Sequence, residues 1–136
     1  MKRRIKRQEG QALVEFAIVI PLLLLIVLGI MQFGILFNNY LTLTDAVRAG
    51  ARQAAVSRTD VDPEQKTKDR VKQAAGHIND ASLEITVDPY DPAKDTHTWA
   101  AGGDVTVKAT YPFTLSMLGL VVMSGKLSSQ TTERVE

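Results

Sequence analysis

The sequence predicts an α+β protein: one long N-terminal helix that crosses a membrane and runs on into a small outer domain with a second helix and about three antiparallel strands. Three observations carry this. An apolar run of 26 residues, 12–37, follows a basic N-terminus. A helical period continues past the end of that run. Farther along, two segments alternate apolar and polar residues as half-buried strands do, and a third is rich in strand-forming residues.

At 136 residues the chain has room for one domain and an appendage. Sixteen basic against fifteen acidic residues leave a net charge of +1, so no global field draws nucleic acid or an acidic substrate. Cysteine is absent, which excludes disulfide scaffolds, thiolate metal sites and thiol catalysis. The mean hydropathy of −0.02 conceals a strong segregation of apolar residues toward the N-terminus.

Residues 1–10 form a basic leader, where Lys2, Arg3, Arg4, Lys6 and Arg7 against Glu9 give +4. Residues 11–37 follow as the membrane helix. Glu15 and Gln32 are its only strongly polar side chains after residue 11, and residues 16–31 have none. As a helix, residues 12–37 are about 39 Å long, enough to cross a hydrocarbon core of about 30 Å. The positive cluster ahead of the span holds the N-terminus in the cytoplasm and places residues after 37 outside. A cleaved secretory signal fits poorly. Its apolar part is shorter, and the first small-x-small triplet after the run (Ala49, Gly50, Ala51) lies more than ten residues beyond it, inside a helical pattern. Gly29 and Pro21 are both tolerated in membrane helices, although Pro21 removes the N–H that would bond the turn near Ala17.

Glu15 needs a reason. A carboxylate at mid-bilayer costs about 2.5–3.5 kcal/mol on insertion scales and is functional by default. One reading puts it near the cytoplasmic edge, reaching water or Arg7. The other follows from spacing. If the chain is cut after Gly10, Gln11 acquires a free α-amine and Glu15 becomes the fifth residue. Amine and carboxylate could then neutralise each other between neighbouring subunits or within one helix.

The stretch Gly10, Gln11, Ala12, Leu13, Val14, Glu15, Phe16 resembles the type IV prepilin processing site in its tight-adherence (Tad, or Flp-type) form. The longer run of residues 9–17, followed by Pro21, Leu22, Leu23 and Leu24, is more specific. With Gly34 and the segment Ala46, Val47, Arg48, Ala49, Gly50, Ala51, Arg52, it resembles the TadE-like minor pilins, or pseudopilins, of that system. The resemblance is strong over residues 8–56. Beyond them it rests on Tyr111 and Pro112 at a strand end and on a Ser/Thr-rich last strand closing at residues 133–136. The sequence departs at Ala49, where the family often carries a charged residue. The resemblance implies a pilin-like fold and a processing site at Gly10, Gln11, Glu15 and Phe16. It also implies as partners a prepilin peptidase, other pilins or pseudopilins and the Tad inner-membrane assembly platform, with the C-terminal domain in the periplasm.

Residues 38–57 extend the membrane helix as an amphipathic segment. Asn38, Asn39 and Tyr40 suit the headgroup level. Leu43, Val47, Gly50 and Ala54 make one stripe, and Asp45, Arg48 and Arg52 a second. Ala46, Gly50 and Ala54, at four-residue steps, allow close approach of another element. Packing on the protein's own domain and packing on a neighbouring pilin are compatible on different faces, and Arg48 and Arg52 belong to the candidate packing set.

Residues 58–136 form the outer domain. Asp62 caps a helix with Pro63 at its first position and Gln65 placed for a capping box. Val71, Ala74, Ala75 and Ile78 make its apolar face. Leu83, Ile85 and Val87 alternate with polar residues as a first strand, and Val105, Val107, Ala109 and Tyr111 as a second. Residues 126–135 read as a third. Residues 89–103 are a loop. Residues 115–123 are apolar without clear period, too short to span a membrane, and are expected to form a core-packing turn of helix or a loop. Residues 38–136 carry 11 basic and 13 acidic residues, net −2.

No motif for catalysis emerges. Gly119 to Lys126 is not a phosphate loop, because five residues separate Gly119 from Gly125 and Leu127 stands where Ser or Thr must bind magnesium. His77 and His97 share no ligand spacing. Asp88, Asp91 and Asp95 lack the EF-hand pattern and read as turn formers. Trp99, the sole tryptophan, is expected in the core or as an exposed contact on the 89–103 loop, with the core favoured. The sequence is therefore read as a membrane-anchored structural protein, not an enzyme, with no cofactor, metal, nucleic acid or small-molecule substrate. Two alternatives stand beside the pilus reading: a single-span anchor presenting a partner-binding domain without processing, and a pseudopilin of another type IV-like secretion system.

Overall fold

The computed structural model describes residues 2–76, 78, 80–117 and 119–136, with side chains from Gly10 onward except that of Asp80. One helix, α1 (Lys2–Val56), takes up the N-terminal part. Then come α2 (Pro63–Ala75), a short 3-10 turn (Asp80–Ser82), and three strands: β1 (Glu84–Tyr90), β2 (Asp104–Met117) and β3 (Leu120–Arg134). The strands form one antiparallel sheet in the order β1-β2-β3. The architecture is the α+β arrangement that the sequence predicts.

At about 1.5 Å per residue, α1 is roughly 82 Å long. Pro21 lies inside it without ending it. Its last carbonyls are closed by groups from both sides: Ser57 donates its N–H to Ala54 at 3.1 Å and its Oγ to Gln53 O at 2.7 Å, and Glu136 N–H reaches Ala55 O at 2.9 Å. These bonds satisfy acceptors that a helix end leaves without partners. Val135, 2 % exposed, inserts into the core beside this cap, so the end of the sheet is fastened to the end of the helix.

Asp62 accepts from Gln65 N–H at 2.9 Å, with Pro63 in the first turn. The reciprocal half of the capping box does not form, because the Gln65 amide turns to Asp69 Oδ1 at 2.8 Å. The helix stops at Gly76, whose φ of +55° suits a residue without Cβ.

The core lies between the C-terminal part of α1, α2 and one face of the sheet. Leu43, Val47, Ala51 and Ala54 meet Val71, Ala75 and Ile78 from α2 and its following turn, and Val105, Val107 and Ala109 from β2. Trp99 packs half-buried against this cluster. Thr67 is fully buried, with its hydroxyl satisfied by Pro63 O at 2.7 Å. The outward face of the sheet is polar, with Thr106 and Thr132 joined through their hydroxyls at 2.8 Å and Lys126 paired with Glu84 at 3.2 Å.

The strands depart from the sequence reading at one end. β1 pairs with β2 only as far as Glu84↔Thr110, whereas β2 and β3 stay paired to Met117↔Leu120. The apolar stretch 115–123 is therefore neither a turn of helix nor a loop in the core. It is the far end of a two-stranded ribbon, with Gly119 at φ +83° in its turn and an irregularity between Leu115 and Ser116. Leu115 is buried, whereas Leu120, Val121, Val122 and Met123 are exposed. Alternation is absent there because β3 has no packed face at the tip, so nothing separates an inner from an outer set of side chains.

Candidate functional site

From Gly10 to Val27 every residue of α1 is exposed, and the helix is long and apolar enough over Gly10–Val56 to cross a membrane. This fits single-pass anchoring. Gly10 and Gln11 sit within unbroken helix, six and five residues before the stretch 16–31 that has no polar side chain. An α-helix places residues four apart on one face, and the Gln11 side chain uses this, donating Nε2–H to Glu15 Oε1 at 3.2 Å. Among the described residues that is the only hydrogen bond or ion pair Glu15 makes. Its carboxylate thus stands on a bare apolar helix, with Phe16 exposed beside it. The leader's Arg7 side chain lies outside the described residues, as does His77.

Pro21 opens a shallow apolar groove with Leu24, Leu25 and Leu28. The ring denies the carbonyl one turn earlier its donor, while Leu24 and Leu25 remain exposed and Leu28 is half-buried.

Farther along α1, Ala46, Gly50 and Ala54 are buried. A Cβ on Gly50 would lie 2.2 Å from Val71 Cγ2, so α2 packs here too close to α1 for a side chain at position 50. The small residues are occupied by the protein's own domain. Arg48 and Arg52 face outward. Arg48 makes one exposed pair with Asp45 at 3.6 Å, and Arg52 has no ion pair among the described residues. The stripe therefore divides as helix geometry requires: apolar and small residues toward the domain, charge toward solvent.

In the loop after β1, Asp91 is 5 % exposed and its carboxylate accepts Ala93 N–H at 3.0 Å. Asp95, at φ +52°, accepts the Tyr90 hydroxyl at 2.7 Å, which raises the Tyr90 pKa above its ordinary 10.0, with partial burial and nearby Asp91 acting in the same direction. His97 Nδ1 lies 2.7 Å from Asp88 Oδ1, and its ring meets Tyr90 edge-on at 5.7 Å. These aspartates each serve the loop's own structure, and no three of His, Cys, Asp or Glu among the described residues gather as a metal site. Gly119 and Gly125 belong to the β2–β3 ribbon, not to a strand–loop–helix turn.

Gln32 escapes a reading of the sequence. It donates Nε2–H to Ser116 O at 2.9 Å, and the ribbon thereby rests on α1. Beside this bond Gly29, Phe33, Leu115, Met117, Val122 and Met123 line an apolar groove. Two signals pointed here separately: a polar residue within an apolar run, and an apolar segment without period.

Comparison with known proteins gives no match among curated proteins and none among solved structures. A family model described as TadE-like protein matches residues 10–52. Those residues begin at the glycine of the candidate processing site, include Glu15, Phe16 and Pro21, and end at Arg52. Over residues 10–52, from the bare apolar helix to its packed extension, the chain is similar to TadE-like proteins.

Proposed function

We propose that the chain is a minor pilin, or pseudopilin, of a Tad-type pilus, made as a prepilin and cut after Gly10 by a prepilin peptidase at the cytoplasmic face. The observation that carries this reading is Glu15 on a bare apolar helix, held among the described residues only by Gln11 one turn before it. A carboxylate in that setting needs a partner once the helix is surrounded by hydrocarbon. Cutting after Gly10 supplies one, because Gln11 then carries an α-ammonium. In an assembly of side-by-side helices, the amine of one subunit can pair with the carboxylate of the next. The cut also discards the +4 leader, whose charge holds the N-terminus in the cytoplasm and would oppose entry into an apolar bundle.

In this reading the mature helix stays in the inner membrane until assembly, and the α+β domain lies in the periplasm. Its partners are the peptidase, the other pilins or pseudopilins and the Tad inner-membrane platform, and the pilus serves adherence or related secretion. The role is structural, without catalysis, cofactor or small-molecule substrate. The match to TadE-like proteins over residues 10–52 supports the assignment to a Tad system.

Mass spectrometry of the N-terminus, on protein extracted from membranes with and without the peptidase, tests the proposal. A mature chain starting at Gln11 only when the peptidase is present is the expected result. A chain still carrying its leader in both samples overturns it, and leaves a plain single-span anchor with a partner-binding domain.

A further inference from the structure

Beyond Thr110 the sheet narrows to the β2–β3 ribbon, which runs alongside α1 back toward the apolar helix. Seven residues of extended strand cover about 24 Å at about 3.4 Å each. The tip thus reaches the level of Gly29, Gln32 and Phe33, where Met117 and Met123 border the helix. Between residues 113 and 125 there is no charged side chain. Leu120, Val121 and Val122 project from the tip, 74, 65 and 64 % exposed. An isolated exposed leucine needs no explanation, but consecutive large apolar residues at the end of a hairpin, continuous with a membrane-crossing helix, do.

The depth of the tip is set by two opposing costs. Residues 12–31 make twenty residues of helix, about 30 Å, which equals the hydrocarbon thickness. Gln32 then falls at the outer boundary, where its amide is matched to the Ser116 carbonyl. Going deeper would immerse the free edges of a two-stranded ribbon, whose outward N–H and C=O groups have no partner in hydrocarbon. Staying shallower would leave Leu120, Val121 and Val122 in water. The headgroup–acyl boundary meets both demands: apolar side chains enter it while backbone groups still find water.

We propose that the tip of the β2–β3 hairpin is a second membrane contact, seating Leu120, Val121 and Val122 in the outer-leaflet boundary beside α1, with the edge of the hydrocarbon at Gln32. The domain is thereby held against the bilayer at two points and cannot swivel freely about the helix. This rests on α1 crossing the membrane and is independent of any processing after Gly10.

The chain has no cysteine, so single cysteines can be placed at will in the full-length protein. Val121→Cys, Val122→Cys, Leu23→Cys and Gln130→Cys, each labelled with an environment-sensitive nitrobenzoxadiazole dye in phosphatidylcholine–phosphatidylglycerol vesicles, are challenged with lipid bearing a nitroxide quencher. The expected result is loss of most emission at positions 121, 122 and 23 and none at 130, unchanged when the protein-to-lipid ratio is lowered tenfold. Water-like, unquenched emission at 121 and 122 overturns the proposal. Blue-shifted emission that lipid does not quench, or quenching that depends on protein density, assigns the tip to another protein surface and also overturns it. If position 23 is unquenched too, the span itself fails and the proposal with it.

Discussion

Gln32 donates its side-chain amide to the carbonyl of Ser116 at 2.9 Å, across 84 residues of sequence. The bond joins the only polar side chain in the later part of the apolar run to the far end of the β2–β3 ribbon. A net hydrogen bond contributes about 0.5–1.5 kcal/mol. Gln32→Leu removes the donor while keeping an apolar side chain of similar size. Hydrogen exchange in micelles is expected to speed up several-fold for amides near Ser116 and Met117, with those of residues 104–110 unchanged. Equal protection at the tip would show that the ribbon holds its place without this bond.

Gly50 lets Val71 of α2 pack closely against α1. In an exposed helix Gly→Ala gains about 1 kcal/mol. Here the new methyl would stand 2.2 Å from Val71 Cγ2, and Val71 is fully buried. Overpacking costs about 1–3 kcal/mol, so Gly50→Ala is expected to destabilise on balance. Val71→Ala removes the clashing methyl and leaves room. The double variant should therefore be more stable than the sum of the two single changes, by about 1–2 kcal/mol, a coupling in the range found for residues in contact. Denaturant titration in micelles, followed by the emission of the sole tryptophan, Trp99, measures all three. Strict additivity would mean that α2 shifts away at no cost.

How much of this was legible in the sequence depends on how local the determining interaction is. The long helix and its extension were visible because Leu43, Val47, Gly50 and Ala54 follow a helical period, and because the span is defined by composition. Asp62 and Pro63 marked the start of α2 for the same local reason. The identity of the neighbour was not visible: the spacing of Ala46, Gly50 and Ala54 shows that something comes close, and only the fold shows that it is Val71. The hairpin tip was illegible because strand reading depends on alternation, which requires one face to be buried. Residues 120–123 have no buried face. Gln32 shared that fate, since its partner is 84 residues away.

Tyr90 carries a pH signature. Its hydroxyl donates to Asp95, and the carboxylate holds the proton, so Tyr90 ionises above the ordinary 10.0. A raised value in the folded state contributes stability that is present below pH 10.0 and is lost as pH rises through the folded value. Both groups are exposed, so the contribution is small. Ultraviolet titration of the phenolates is expected to show one tyrosine moving to lower pH in Asp95→Asn, with its helix content unchanged. A titration identical to that of the unaltered protein would show that the bond does not persist in solution.

Glu15 separates the pilus reading from the plain anchor. Replacing it by alanine removes a carboxylate that costs about 2.5–3.5 kcal/mol at mid-bilayer on insertion scales and less near an edge. Insertion of Glu15→Ala should therefore be at least as efficient as before, and the outer domain, far along α1, should keep its fold. A simple anchor would lose nothing by the change. A pilin whose neighbour's α-amine pairs with this carboxylate would lose the contact that draws subunits into register. The expected outcome is normal membrane content with pilus assembly reduced by about tenfold or more, the effect of losing at least 1.4 kcal/mol per subunit contact. Glu15→Gln keeps size and hydrogen bonding without the charge, and should fail in the same way if the ion pair is what matters. Membrane fractionation reads the first quantity and counts of surface pili read the second. Unaltered pili in both variants would show that the carboxylate is only an edge residue reaching for water.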